Sequence, residues 1–260
     1  MILNRPYLTL LTAPRSGSHW LSELLAINGL ALPAEHLWNV RSLFLKGQET
    51  RGYICSVLHQ RMTNYSFHLK VNPLLQTFPP LHFSSKLMPE DLQYFDQTGG
   101  PDYFEAPQHY EILLWRRDFF SQTLSYTASL LSGSWYTKTA TIELPHISRE
   151  NFLQSYESLL NQYSVLLNYF TKYCPDALVI NYEDVKLNPK RALEYIYLHC
   201  KAMVPKEFET KVSSDYHGYK FSSELIEELK SAMTSRPDLI KKGEKLEIDF
   251  NVVTKVLISL

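Results

Sequence analysis

This chain has too few cysteines to be built on disulfides. Cys55, Cys174 and Cys200 are odd in number, widely spread and without CxxC or metal-ligand spacing, which points to reduced thiols in a cytoplasmic protein. An excess of one charge is missing too. Lys and Arg total 26 against 27 Asp and Glu, a net charge of −1, so no global field attracts nucleic acid, an anionic membrane or a heparan-like polyanion. No apolar run approaches the ~18 residues of a membrane-spanning helix. The first apolar stretch, Tyr7 to Leu11, is too short for a signal peptide. Internal repeats and low-complexity tracts are also absent. A 45% apolar content over 260 residues is enough to bury the core of one large domain, 1–260.

What is present begins at that first apolar stretch. Tyr7 to Leu11 reads as a strand and runs into Thr12-Ala13-Pro14-Arg15-Ser16-Gly17-Ser18-His19-Trp20. A helical pattern opens at Trp20, Leu21, Leu24 and Leu25 and closes at Gly29. Strand, small-residue loop and helix N-terminus form an anion cradle, because unpaired backbone N–H groups and the positive end of the helix dipole converge there. Arg15 adds a permanent planar cation. The ATP and GTP loop, Gly-x-x-x-x-Gly-Lys-Ser/Thr, is lacking, since one Gly17 is present and no Lys-Ser/Thr pair follows. That disfavours a P-loop kinase.

A second segment, Tyr110 to Trp115, reads as a buried strand ended by Arg116-Arg117-Asp118. Asp118 is placed to cap a helix through Phe119, Gln122, Leu124, Ser125 and Ala128. Arg117 and Ser125, about two helical turns apart, can face one anion. A third segment has the strand Ala177–Ile180, then Asn181-Tyr182-Glu183-Asp184-Val185, then a helix from about Pro189 to Cys200. Further strands are expected at about Tyr65–Val71, and helices at Asn151–Tyr173 and Ser222–Met233. Strands alternating with long helical crossovers predict an α/β fold, a parallel sheet flanked by helices with ligands at the strands' carboxyl ends. The Pro- and Gly-containing stretch 77–107 reads as irregular or lid-like.

Pro14-Arg15-Ser16-Gly17-Ser18-x-Trp20 resembles the 5′-phosphosulfate loop of sulfotransferases, which use 3′-phosphoadenosine 5′-phosphosulfate (PAPS) as sulfonate donor. Arg117 with Ser125 is similar to the pair that holds the 3′-phosphate, and Tyr182-Glu183-Asp184 to the late strand-loop-helix element whose tyrosine approaches the adenine. Within the family the pattern is most similar to the bacterial trehalose 2-sulfotransferase type, with Ser132-Gly133-Ser134-Trp135 also in order. The resemblance spans about Tyr7 to Cys200. Beyond it lies a diverged tail, 201–260, in which Lys241-Lys242-Gly243 faintly resembles an Arg-Lys-Gly clasp of cytosolic members.

The resemblance implies a P-loop-like sulfotransferase fold and transfer of a sulfonate from PAPS to a hydroxyl, with Arg15 beside the leaving oxygen. Pro14, Arg15, Ser16, Gly17, Ser18, His19, Trp20, Arg117, Ser125 and Tyr182 are then nucleotide-binding. Trp20 and Tyr182 either contact adenine or pack on the core, and His19 either touches the sulfonate or caps the helix. Trehalose enzymes place a glutamate shortly after the first helix, where Glu35 stands, with His36 as the adjacent rival base. In cytosolic members a histidine two residues after a strand lysine is the base. Here Lys70 is followed by Asn72 at that place, which favours Glu35 as base and leaves Lys70 as a second cation. No metal is implied. Trp38, Trp135 and Tyr136 suit stacking on a sugar ring, so a carbohydrate or glycolipid acceptor is expected. The resemblance also allows a homodimer. The competing reading is a sulfotransferase-fold protein that binds nucleotide or a partner without transfer.

Overall fold

β1 (Tyr7–Thr12) is buried along its whole length, and its apolar residues serve both faces of a sheet. Leu8 and Leu10 pack to one side, Tyr7 and Leu11 to the other. Such two-sided burial explains why the strand reads as a continuous apolar run. The computed structural model describes residues 6–31, 33, 83–92, 108–135, 146–212 and 219–254. In it β1 lies between β2 (Phe83–Leu87) and β3 (His109–Trp115), and β3 is followed outward by β4 (Leu178–Asn181). All three pairings are parallel, with Leu10 opposite both Lys86 and Ile112, and Ile112 opposite Leu178.

The order β2-β1-β3-β4 means that the chain leaves β1 toward one edge and returns to build on the other. A crevice therefore opens beyond the carboxyl ends of β1 and β3, where the direction of winding reverses.

Helices cover both faces. On one, α1 (Ser18–Ile27) presents Leu21, Leu24 and Leu25 at helical spacing to Leu8, Leu10, Ile112 and Leu114. Gly29, at φ +75°, closes α1: the Leu30 N–H donates to Leu25 C=O and Gly29 N–H to Ala26 C=O, a left-handed cap that satisfies two helix-end carbonyls. α4 (Tyr182–Leu187) and α5 (Pro189–His199) share this face through Val185, Ala192, Leu193 and Ile196. On the other face lie α2 (Phe119–Ser132), α3 (Arg149–Tyr173), α6 (Ser223–Thr234) and α7 (Pro237–Val253). The long α3 packs against α2, α6 and α7. Side chains cap five of these helices at their N-termini, Asp118, Ser148, Asn181, Asn188 and Ser222 each accepting a first-turn N–H.

The expected parallel sheet flanked by helices is present. Two regional expectations change. The stretch 77–107, read as irregular, contains β2, whose Ser84, Ser85 and Lys86 are buried. Polar side chains hide a strand from a hydrophobicity pattern when their partners come from elsewhere in the chain. Lys241-Lys242-Gly243 lies inside α7 and forms no turn or clasp. A Cβ on Gly243 would stand 2.7 Å from the Tyr156 hydroxyl oxygen, so this glycine serves close approach of α7 to α3. The tail joins the core as well: Phe250 stacks on Trp115 at 5.1 Å, and Trp115 Nε1 donates to Thr254 Oγ1 at 2.9 Å. Among the described residues no helix is long and apolar enough to cross a membrane. The expected strand Tyr65–Val71 lies outside the described residues.

Candidate functional site

The loop after β1 turns sharply. Arg15 has φ +59° and Gly17 φ +89°, two left-handed residues on either side of buried Ser16. For a non-glycine residue this costs about 1–3 kcal/mol and persists only where surroundings enforce it. Gly17 is also the N-cap of α1 and offers no side chain to its first turn. The first N–H groups of α1 are therefore left to whatever enters the loop, unlike those of the capped helices.

Tyr182 explains why glycine is required. A Cβ at position 17 would lie 2.2 Å from its ring carbons. The ring also meets Trp20 edge-on at 6.2 Å, so both aromatics wall the loop, and Trp20 packs at the margin of the α1-side core. Ser16 does not present its hydroxyl to the mouth; its Oγ is hydrogen-bonded to Thr12 Oγ1. The Pro14 carbonyl accepts from Gln122 Nε2 at 2.7 Å.

Arg15 reaches across to α2. Its Nε donates to Ser125 Oγ at 2.8 Å and its NH1 to the Trp135 carbonyl at 2.7 Å, with the guanidinium 5.9 Å from the Tyr219 ring centre. Burial holds its pKa below the ordinary guanidinium value; Tyr219 opposes the shift and Arg116 adds to it. It remains a cation at any physiological pH. Tyr219 belongs to the diverged tail. Its hydroxyl donates to the Ser134 carbonyl at 3.0 Å and lies 3.1 Å from Ser132 Oγ.

The strand-end arginines divide their roles. Arg117 turns outward: its side chain is 44% exposed and its NH2 lies 3.3 Å from Asp184. It makes no bond to Ser125, whose hydroxyl serves Arg15 instead. Arg116 is the one that borders the cradle. Its side chain is 20% exposed, its NH1 donates to the Arg15 carbonyl at 3.3 Å, and its guanidinium lies 5.3 Å from the Tyr182 ring centre. Nε is buried without a hydrogen-bond partner, although Glu183 Oε1 is 3.5 Å away. A buried guanidinium N–H left unbonded beside a second cation is costly unless an anion completes it.

The Tyr-Glu-Asp segment holds this arrangement. Asn181 caps α4 by accepting from the N–H groups of Glu183 and Asp184. Glu183 then accepts from the backbone N–H groups of Arg117 at 3.0 Å and Asp118 at 3.3 Å, while Tyr182 covers Gly17 and Asp184 takes Arg117. The three sequence segments thus converge, but through Arg116 rather than Arg117.

A third cation was hidden in β2. Lys86 is 2% exposed, and its Nζ lies 3.3 Å from Nε2 of His19 in the first turn of α1. Lys86 lies on the strand paired with β1, opposite Leu10. The available signal was local: Phe83-Ser84-Ser85-Lys86-Leu87 precedes Met88-Pro89-Glu90-Asp91, a helix start with proline first and acids in the first turn. Glu35, His36, Trp38, Lys70, Asn72 and Tyr136 lie outside the described residues. Ser18 is buried at the start of α1. Among the described residues, no group of three or more His, Cys, Asp or Glu is placed to hold a metal ion.

No family model and no curated protein matches the sequence. Among solved structures, the chain is similar to the sulfotransferase domain from the Synechococcus PCC 7002 olefin synthase, at 15% identity over 93% of this chain and 94% of that one, with a TM-score of 0.49. A sulfotransferase from Alicyclobacillus acidocaldarius is similar at 13% identity, over 94% of this chain and 96% of that one, with a TM-score of 0.47. A sulfotransferase domain from the curacin biosynthetic pathway gives 14% identity, 88% and 98% coverage, and a TM-score of 0.46. Likenesses this remote leave the functional reading to the site's own residues.

Proposed function

We propose that this protein is a PAPS-dependent sulfotransferase acting on a hydroxyl of a carbohydrate or glycolipid-type acceptor, of the kind the trehalose 2-sulfotransferase resemblance suggests. The observation that carries the reading is the convergence of Arg15, Arg116 and the uncapped glycine start of α1 at the sheet's switch point, with Arg116 Nε lacking a hydrogen-bond partner beside Glu183. Two guanidinium groups beside a helix N-terminus suit a strongly anionic ester. Gly17, where a Cβ would strike the Tyr182 ring, lets that ring close over the loop while the backbone of the turn stays uncovered by any side chain of its own.

When bound, PAPS supplies an activated sulfonate on a phosphate leaving group. Sulfuryl transfer asks the protein mainly to align the partners and to stabilise charge on the departing oxygen. The loop N–H groups and Arg15 would hold that phosphate. Arg116 takes the second phosphate position that the sequence pattern gave to Arg117, and Lys86 with His19 flanks the loop's other side. The acceptor's proton goes to a base, for which Glu35, with His36 as rival, remains the choice. With PAPS bound, the acceptor oxygen would bond to sulfur as the sulfur–phosphate oxygen bond broke, and 3′,5′-adenosine bisphosphate would leave.

Thermal shift against 3′,5′-adenosine bisphosphate, AMP and ATP-Mg²⁺ tests the donor site. A ligand at about 100 times its Kd adds about 2.7 kcal/mol of apparent stability. The bisphosphate should give the largest shift. A preference for ATP-Mg²⁺ would refute the reading, and binding without sulfonate transfer to any glycan of an acceptor panel would reduce it to nucleotide binding.

A further inference from the structure

Behind the site lies a polar chain that the sulfonate chemistry does not touch. Tyr163, at the middle of α3, and Gln122, on α2, are both wholly buried. The Tyr163 hydroxyl donates to Gln122 Oε1 at 3.0 Å and accepts from the Arg116 backbone N–H at 3.1 Å. Gln122 Nε2 donates onward to the Pro14 carbonyl at 2.7 Å. Each outward bond of the pair thus ends on the backbone of one of the two anion-binding segments.

Burying a phenol and a primary amide in an apolar layer gives little net stability, since apolar side chains of the same shape pack there without desolvation. Phe119 and Phe250 meet the Tyr163 ring edge-on at 5.0 Å and 5.5 Å, so that layer is apolar. What the pair does provide is direction. The Pro14–Arg15 peptide is trans and planar, so its carbonyl and its N–H point opposite ways. By holding the Pro14 carbonyl toward α2, Gln122 turns the Arg15 N–H to the opposite side of the loop, and it supports the left-handed conformation of Arg15. By holding the Arg116 N–H, Tyr163 fixes the start of the side chain that borders the cradle.

We propose that Tyr163 and Gln122 form a positioning strut which aims the Pro14–Arg15 peptide and Arg116 at a single bound anion. The strut rests on the reading of the cradle as the donor site, and deepens it by naming the two residues that set its geometry from outside. Arg15 and Arg116 touch the ligand; Tyr163 and Gln122 act through them.

The test uses the full chain with Tyr163→Phe, Gln122→Met and the double variant, titrated calorimetrically with 3′,5′-adenosine bisphosphate and separately with inorganic sulfate. Thermal midpoints without ligand are recorded alongside. Each single variant should bind about ten-fold more weakly while remaining folded, and the double variant no more weakly than the poorer single one, because both interrupt one chain of bonds. Amide exchange at Arg15 and Arg116 should quicken in both. Affinity within about two-fold of wild type, additive losses in the double variant, or unchanged exchange at both arginines overturns the strut. Should Tyr163→Phe fail to fold, Gln122→Met decides the question by the same measurements. Wild-type binding of sulfate without the bisphosphate would sink the donor-site reading and leave the strut to be judged on sulfate. Binding of neither ligand rejects both.

Discussion

The two ends of β1 and β3 carry polar groups of opposite character. At the amino end, Thr9 Oγ1 lies 2.7 Å from His109 Nε2, and His109 Nδ1 lies 3.1 Å from Glu111 Oε1. At the carboxyl end, Arg15, Arg116 and Lys86 gather around a helix start that no side chain caps. The members of the first group pair with one another, and Cys174 also bonds to the Glu111 carboxyl. A hydroxyl, an imidazole and a carboxyl satisfy one another, and burial favours the neutral form of both titrating groups: His109 falls to about 4 and Glu111 rises to about 7. The cations of the second group share one sign, and Glu183 Oε1 stands 3.5 Å from Arg116 Nε. Polar burial alone therefore does not mark a binding site; cations of one sign gathered beside an uncapped helix start do.

The strongest way to break the comparison is Gly17→Ala. The added Cβ meets the Tyr182 ring at 2.2 Å in a backbone conformation unsuited to alanine, so about 3 kcal/mol of stability and all bisphosphate binding should be lost. Chemical denaturation and calorimetry check this; a variant that binds normally would show that the loop is not the cradle.

Next comes the contrast within the carboxyl end. Arg116→Ala should weaken bisphosphate binding about 100-fold, as expected for a lost charge-assisted contact to phosphate. Arg117→Ala, which loses an exposed pair with Asp184, should cost no more than about three-fold. The reverse ranking in a titration would return the phosphate to Arg117.

The smallest effect sharpens the amino end. Glu111 has a raised pKa, so its contribution to stability is complete below its ordinary value of 4.5 and is lost as pH rises through about 7. His109 has a lowered pKa, so its contribution is complete above 6.5 and is lost as pH falls through about 4. The two trends oppose each other, and the wild-type profile should be nearly flat between pH 4.5 and 6.5 from these groups. Glu111→Gln leaves the histidine's trend, with stability rising over that window. His109→Gln leaves the glutamate's, with stability falling. Urea melts across the window read both slopes, and two flat variants would show that the cluster is not coupled to folding.

Much of the frame was legible because it is written locally. β4 and α5 fall where the pattern placed them, at Leu178–Asn181 and Pro189–His199. Asp118 caps α2 as its position before Phe119 suggested. β2 was not legible, since Ser84, Ser85 and Lys86 are buried polar residues, and Lys86 meets His19 from another segment. The choice between Arg116 and Arg117 was equally hidden. Adjacent residues at a strand end point to different sides, and family spacing favoured the one that the fold turns onto Asp184.

By itself the sequence determined the parallel alternation of strands and helices, the glycine-started helix and the three segments that carry the charges. Those follow from periodicity and from the conformational range of single residues. Only the tertiary structure decided which cation borders the cradle, that Lys86 stands beside it, and that Tyr163 joins two loops more than a hundred residues apart in the chain. Such facts depend on contacts between distant segments, and side-chain direction at a strand end is set by what packs there.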